Sequence, residues 1–181
     1  MMCKQQKTLD HEFHLADEAE QFGLKVDRLL KEDVQKLETD VEIDVAGAVL
    51  FKDDCHFNPG KMMVTLKNYL ENKGVKFQLN TTVTGFEKAN NKITAVITDK
   101  GKFICNDIVL ATGSWLPVVA KMMGIKLLLQ PGKGYSYTYT YVEKNIKYPA
   151  ILVDGRCAIT PWGNQLRIGG TMELSGINNK V

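Results

Sequence analysis

Residues 106–125, NDIVLATGSWLPVVAKMMGI, constrain the fold more than any other stretch. The apolar run Ile108-Val109-Leu110 leads into the small-residue turn Ala111-Thr112-Gly113-Ser114, and an apolar helix with a glycine stop at Gly124 follows. A run apolar at nearly every position suits a parallel strand covered on both faces. A small-residue turn between strand and helix lets backbone N–H groups approach a phosphate or ribose closely. The chain has no Gly-x-Gly-x-x-Gly turn, the usual first half of a dinucleotide site. The stretch reads as the second half of such a site, standing alone.

The segments before it belong to the same layer. Asn58-Pro59-Gly60 is a strong helix start, with Asn as N-cap and Pro at the first helical position. Met62, Met63, Leu66, Tyr69 and Leu70 recur at helical spacing until Gly74, and Val75–Leu79 then alternates as a strand. Three strands follow, at 82–88, 92–98 and 102–105, joined by Asn90-Asn91 and Asp99-Lys100-Gly101. Further helices are expected at 10–22, with Leu15, Ala19 and Phe22 on one face, and at 31–38. The carboxylates Glu38, Asp40, Glu42 and Asp44 read as a solvated edge before the strand-like 46–51.

Beyond Gly124 the texture changes. Tyr135-Ser136-Tyr137-Thr138-Tyr139-Thr140-Tyr141 alternates aromatic and hydroxyl side chains, a long strand with two unlike faces. Strands at 150–160 and 165–172 follow, joined by the turn Pro161-Trp162-Gly163-Asn164. An α/β part and a β-rich part are therefore interleaved along the chain.

A formal charge of +2 over 181 residues, with no dense Lys/Arg cluster, argues against nucleic acid as a partner. No apolar run approaches the length of a membrane span. The N-terminus lacks the apolar core of a signal peptide, so a cytoplasmic address is expected. Cys3, Cys55, Cys105 and Cys157 lie far apart without a Cys-x-x-Cys pair and read as reduced thiols. His11 and His14 sit one helical turn apart with no evident third ligand, so no metal site is expected.

Four segments, in this order, carry a resemblance: FNPGKMMVTLKNYLENKGVKFQLNTTVTGFE (57–87), DIVLATGSW (107–115), LLLQPGKGYSYTY (127–139) and LRIGGTMEL (166–174). Together they resemble the middle of an FAD-dependent amine or amino-acid oxidoreductase of the D-amino-acid oxidase/dehydrogenase-like superfamily. PGKGYSYT is closest to the bacterial D-amino-acid dehydrogenase branch. The resemblance implies a partial FAD-binding α/β layer with an antiparallel β-meander (1–44 and 59–124), interleaved with a β-rich substrate domain (45–58 and 125–181). It also implies that the chain is a central fragment, without the pyrophosphate loop and without the later arginine-containing segment.

By the same resemblance, FAD would meet the backbone at Val83, the turn Ala111-Thr112-Gly113, and Trp115. Lys133 and Gly134 would begin the strand that passes near the flavin ring, where a cation favours the anionic reduced form. Tyr135, Tyr137, Thr171 and Glu173 would border the substrate, although aromatics at alternate strand positions also serve as plain sheet core. No side-chain general base is expected, because the flavin takes hydride from the substrate carbon. Where some relatives hold the substrate carboxylate with a tyrosine before the 161–164 turn, this chain has Ala158, Ile159 and Thr160.

Two readings follow. In one, the parent protein oxidises a D-amino acid or related amine with FAD, a flavin-dependent 2-hydroxy-acid or glycerol-phosphate dehydrogenase being the nearest alternative enzyme. In the other, the chain is an inert fragment or scaffold that binds no flavin. Its uncovered sheet or helix surface would then self-associate.

Overall fold

A computed structural model describes residues 1–178; residues 179–181, the tail of the expected substrate half, lie outside the described residues. The chain divides into two compact units, Met1–Met62 with Gly134–Met172, and Met63–Lys133 with the residues from Glu173 on. Residues 1–44 fall in the first of these units. Two short strands that the sequence did not announce, β1 (Met2–Cys3) and β2 (Val26–Leu30), draw them there by pairing with β3 (Gly47–Phe51).

The first unit is built on a seven-stranded sheet. Besides β1–β3 it contains β7 (Lys133–Tyr139), β8 (Ala150–Leu152), β9 (Cys157–Trp162) and β10 (Gln165–Glu173), in the order β2-β3-β1-β8-β9-β10-β7. β1 runs parallel to β8 and antiparallel to β3, so two residues join the two sequence halves of the sheet. The expected strand at 150–160 is broken by a turn before β9, where Arg156 takes a positive φ of 49°. Pro161 and Trp162 remain in β9, and the turn falls on Gly163-Asn164.

Helix α1 (Gln6–Gln21) covers the sheet face that carries Val26 and Val49. It starts four residues earlier than the spacing suggested and buries Leu9, Glu12 and Ala16, leaving Leu15 half-buried to exposed and Phe22 almost fully exposed. The stripe Leu9-Phe13-Ala16 simply offers a better-aligned apolar face than Leu15-Ala19-Phe22. Helix α2 (Lys31–Leu37) packs Val34 on the other face, against Met2, Ala48 and Ala150. Gly47 is required where sheet and α1 meet, because a Cβ there would press into the Leu29 backbone carbonyl and lie 2.7 Å from Leu9 Cδ2.

Glu38 overturns the reading of 38–44 as a uniformly solvated edge. It is 1% exposed, and its two carboxylate oxygens accept the backbone N–H groups of Lys147 (2.7 Å) and Tyr148 (3.0 Å). Asp40, Glu42 and Asp44 are exposed as expected.

The second unit holds most of helix α3 (Pro59–Asn72), the meander β4 (Val83–Ala89), β5 (Lys92–Thr98) and β6 (Gly101–Ile104), a 3-10 turn (Gly113–Trp115) and helix α4 (Leu116–Met122). Asn58 caps α3 as its sequence demands, accepting the Lys61 N–H at 3.1 Å. Asn90 and Asn91 both take positive φ, the backbone that a two-residue hairpin turn needs. Two expected strands do not form. Residues 75–79 and 108–111 have no ladder partners among the described residues. A strand needs a hydrogen-bonded neighbour, and here apolar sequence is left facing solvent, with Val109 88% exposed.

Candidate functional site

In the second unit the turn 111–115 joins the unpaired apolar run to α4. Ala111 and Gly113 are exposed, whereas the Thr112 hydroxyl is buried and makes no hydrogen bond. Gly113 takes a φ of 52°, and a Cβ at that position would meet nothing within 4 Å. The turn thus faces open space with backbone bare and one orphaned hydroxyl. A buried hydroxyl without a partner is uncommon in a finished site, and a ligand with polar groups would satisfy it. Trp115 is exposed at the N-cap of α4, whose Ala120 is buried. Val83 opens β4 opposite Thr98, half-buried with its backbone in the ladder. Lys133 is mostly covered; its ammonium donates to Asn178 Oδ1 at 3.1 Å and lies 3.9 Å from the Glu173 carboxylate.

The sheet of the first unit carries a hollow on each face. One, of about 470 Å³, brings together Tyr135, Tyr137 and Thr171 with Arg156, Cys157 and Gly170. Gly170 is constrained there, since a Cβ would sit 2.8 Å from Cys157 Cα. Tyr137 meets Tyr139 edge-on at 4.8 Å between ring centroids. Gly134 is the second residue of this strand, and Glu173 stands outside the hollow.

The other hollow is larger, about 570 Å³, and lies on the face that α1 partly covers. Phe51, Ile151, Ala158 and Thr160 form its wall, with His56 and Tyr148 at its margin. Strand alternation sets this face: Ala150 and Ile159 pack on the α2 side, so Ile151, Ala158 and Thr160 project to the other. A largely apolar cavity with a few polar groups at its edge is the usual form of a small-molecule site. The place of His56 at this margin depends on β3 and β8 being brought together by β1, which no local pattern announces.

Residues 2–181 match the model of the FAD dependent oxidoreductase (DAO) family, and the chain belongs to that family. It is 37% identical over 139 residues to a D-amino acid dehydrogenase of Helicobacter pylori, an alignment covering 76% of this chain and 34% of that protein. A D-amino acid dehydrogenase of Rhizobium johnstonii is 31% identical over the same length, covering 33% of that relative. The chain therefore spans about a third of the length of the curated relatives it matches. Among solved structures, a glycine oxidase from Bacillus cereus superposes on 99% of this chain and 49% of its own, with a TM-score of 0.86 at 24% identity. An L-proline dehydrogenase from P. horikoshii superposes on 98% of this chain and 49% of its own, at 0.84 and 20%. These two likenesses establish the fold: a mixed sheet with an antiparallel meander, in a family that works with FAD.

Proposed function

We propose that this chain is part of an enzyme that oxidises a D-amino acid or related amine with FAD. The buried, unpartnered Thr112 hydroxyl in an otherwise bare small-residue turn is the observation that carries the reading. Ala111, Thr112 and Gly113 would hold the cofactor by close backbone approach, Val83 and Trp115 would flank it, and Lys133 with Gly134 would stand where the chain crosses towards the ring. FAD, when bound, supplies the acceptor for hydride leaving the substrate carbon. The chain's own residues then bind and orient. The 570 Å³ cavity takes the substrate's side chain and keeps water from it, and its margin of His56, Tyr148 and Thr160 fixes its polar end. Tyr135, Tyr137, Thr171 and Glu173 are the second set of candidates for substrate contact.

The test is the visible spectrum of the chain after incubation with FAD and passage through a desalting column. Retained flavin absorbance that Thr112→Val weakens supports the reading. Retention that Thr112→Val leaves unchanged refutes the role of the turn. The longer parent protein would then be assayed with D-amino acids against 2-hydroxy acids, using an artificial electron acceptor.

The unpaired segments 75–79 and 108–111 favour a second reading for the 181 residues by themselves. Exposed apolar strand edges promote pairing between copies, so the isolated chain would self-associate and bind flavin weakly. Size-exclusion chromatography with light scattering separates that state from a monomer. No helix among the described residues is long and apolar enough to cross a membrane.

A further inference from the structure

Among the described residues the two sheets end on four outer strands, and three of them are guarded against pairing with another chain. β2 carries Asp27, ion-paired with Lys52 at 2.8 Å, and Arg28, ion-paired with Glu20 at 2.9 Å. β4 is interrupted by register shifts between Val83 and Gly85 and between Glu87 and Lys88. β6 is only four residues long and carries Lys102, paired with Glu87. Charges, bulges and short length are the devices that keep sheet edges from pairing with other chains. β7 has none of them. From Gly134 to Val142 the sequence holds neither charge nor proline, and no strand among the described residues lies on the outer side of β7. Tyr137 and Tyr139 form an aromatic ledge along it, their rings edge-on at 4.8 Å and 65% and 50% exposed. Both helices of the first unit pack over the other end of its sheet, α1 on Val26 and Val49 and α2 on Met2, Ala48 and Ala150.

The alternation of β7 says which chain this edge fits. When two identical strands pair antiparallel about a two-fold axis centred on a residue, every position meets one of its own parity. In β7 that sets rings against rings on one face and hydroxyls against hydroxyls on the other. Lys133, at the start of the strand, already donates to Asn178 and lies 3.9 Å from the Glu173 carboxylate, which moves the centre towards the other end, to Tyr137. Tyr137 then faces Tyr137 of a second copy, Tyr135 faces Tyr139, and Ser136 faces Thr138. Aromatic and hydroxyl pairs of this kind are the ones that favour cross-strand association. We infer that β7 is an interface between two copies of this chain, joined edge to edge by antiparallel backbone hydrogen bonds with the two-fold axis at Tyr137. The contact uses the same patch twice and therefore closes at two copies. One strand pair buries less than the roughly 1,200 Å² of a standard interface, so the dimer is weak, half-associated at roughly 10–100 µM. The contact is separate from the unpaired segments 75–79 and 108–111, and it does not depend on the flavin reading.

The test is the dimer dissociation constant of the whole chain by sedimentation equilibrium, measured for the parent chain, for Tyr137→Lys and for Tyr137→Glu. Each variant alone sets like charges opposite one another across the axis and should dimerise at least about tenfold more weakly than the parent. An equal mixture of the two sets lysine against glutamate and should restore association to near the parent's, more fully at low salt. Such complementation requires that position 137 meet position 137, and neither misfolding nor association elsewhere on the chain produces it. A parent chain that stays monomeric across this range, or that grows beyond a dimer, refutes the inference. Variants that associate as the parent does refute it too, and assign self-association to 75–79 and 108–111. A mixture that stays as dissociated as its components refutes the pairing at Tyr137. Matching circular dichroism melts exclude unfolding as the cause of any loss. If the charged variants melt early, cysteine crosslinking in a Cys55→Ser background carries the test: Tyr137→Cys should form a disulfide-linked dimer faster than Thr138→Cys, and equal rates refute the register.

Discussion

Replacing Glu38 by alanine should destabilise the first unit more than any other single change on its α2 side. The carboxylate is 1% exposed and holds the Lys147 and Tyr148 amides at 2.7 and 3.0 Å. A hydrogen bond to a charged group contributes about 1.5–3 kcal/mol, and each buried donor left without an acceptor adds a desolvation cost. Two such bonds give about 3–6 kcal/mol in full, and about 3–5 kcal/mol once the loop before β8 moves to let water reach the amides. Glu38→Gln keeps one acceptor and should lose about half as much. In urea, with a slope of about 2 kcal/mol/M, the alanine variant's midpoint should fall by roughly 1.5–2.5 M at unchanged slope. Hydrogen exchange gives an independent reading, because both amides should be protected in the parent chain and released in Glu38→Ala. A midpoint within about 0.3 M of the parent, or equal exchange at the two amides, would refute the reasoning. Lys147 and Tyr148 also line the larger cavity, so the same variant should bind apolar probes more weakly.

Burial pushes the Cys3 thiol up to about 11 from its ordinary value near 9. The unfolded chain therefore loses this proton first, and stability present below pH 9 should be lost as pH rises through 11, measurable as a falling melting temperature. At pH 8 a thiol reagent should modify exposed Cys55 quickly and buried Cys3 only on unfolding. Gly47→Ala should cost about 1–3 kcal/mol by driving a methyl group into the Leu29 carbonyl and Leu9; a melting temperature equal to the parent's would show that β2 and α1 both give way without cost. Exchanging Asn91 for glycine should be neutral to slightly stabilising, since glycine accepts the positive φ there more readily, and a drop in urea midpoint would contradict that backbone reading.

Local signals were legible wherever structure is locally determined. Asn58-Pro59-Gly60 placed the start of α3, Asn90-Asn91 placed the β4–β5 hairpin, and Gly23, Gly74 and Gly124 all take the positive φ expected of helix stops. What sequence could not convey was non-local pairing. β1 is two residues long, and β2 has no strict alternation, yet both are fixed by β3. The reverse error came at 75–79 and 108–111, where strand-like composition had no neighbour to pair with. The small-residue turn and the tyrosine strand were visible as candidates, and Tyr135, Tyr137 and Thr171 do share one hollow.

The position of β1 also sets an order of events during synthesis. Met2 of β1 precedes β3 in the chain, and the two strands can pair once residue 51 has emerged. The other edge of β1, however, is completed only by Leu152. At 5–20 residues per second, the exposed edge waits roughly 5–20 s for that strand while the self-contained meander forms in between. For that interval the nascent chain carries an open edge next to its most buried cysteine, and a holdase that shields residues 1–51 would act in this window.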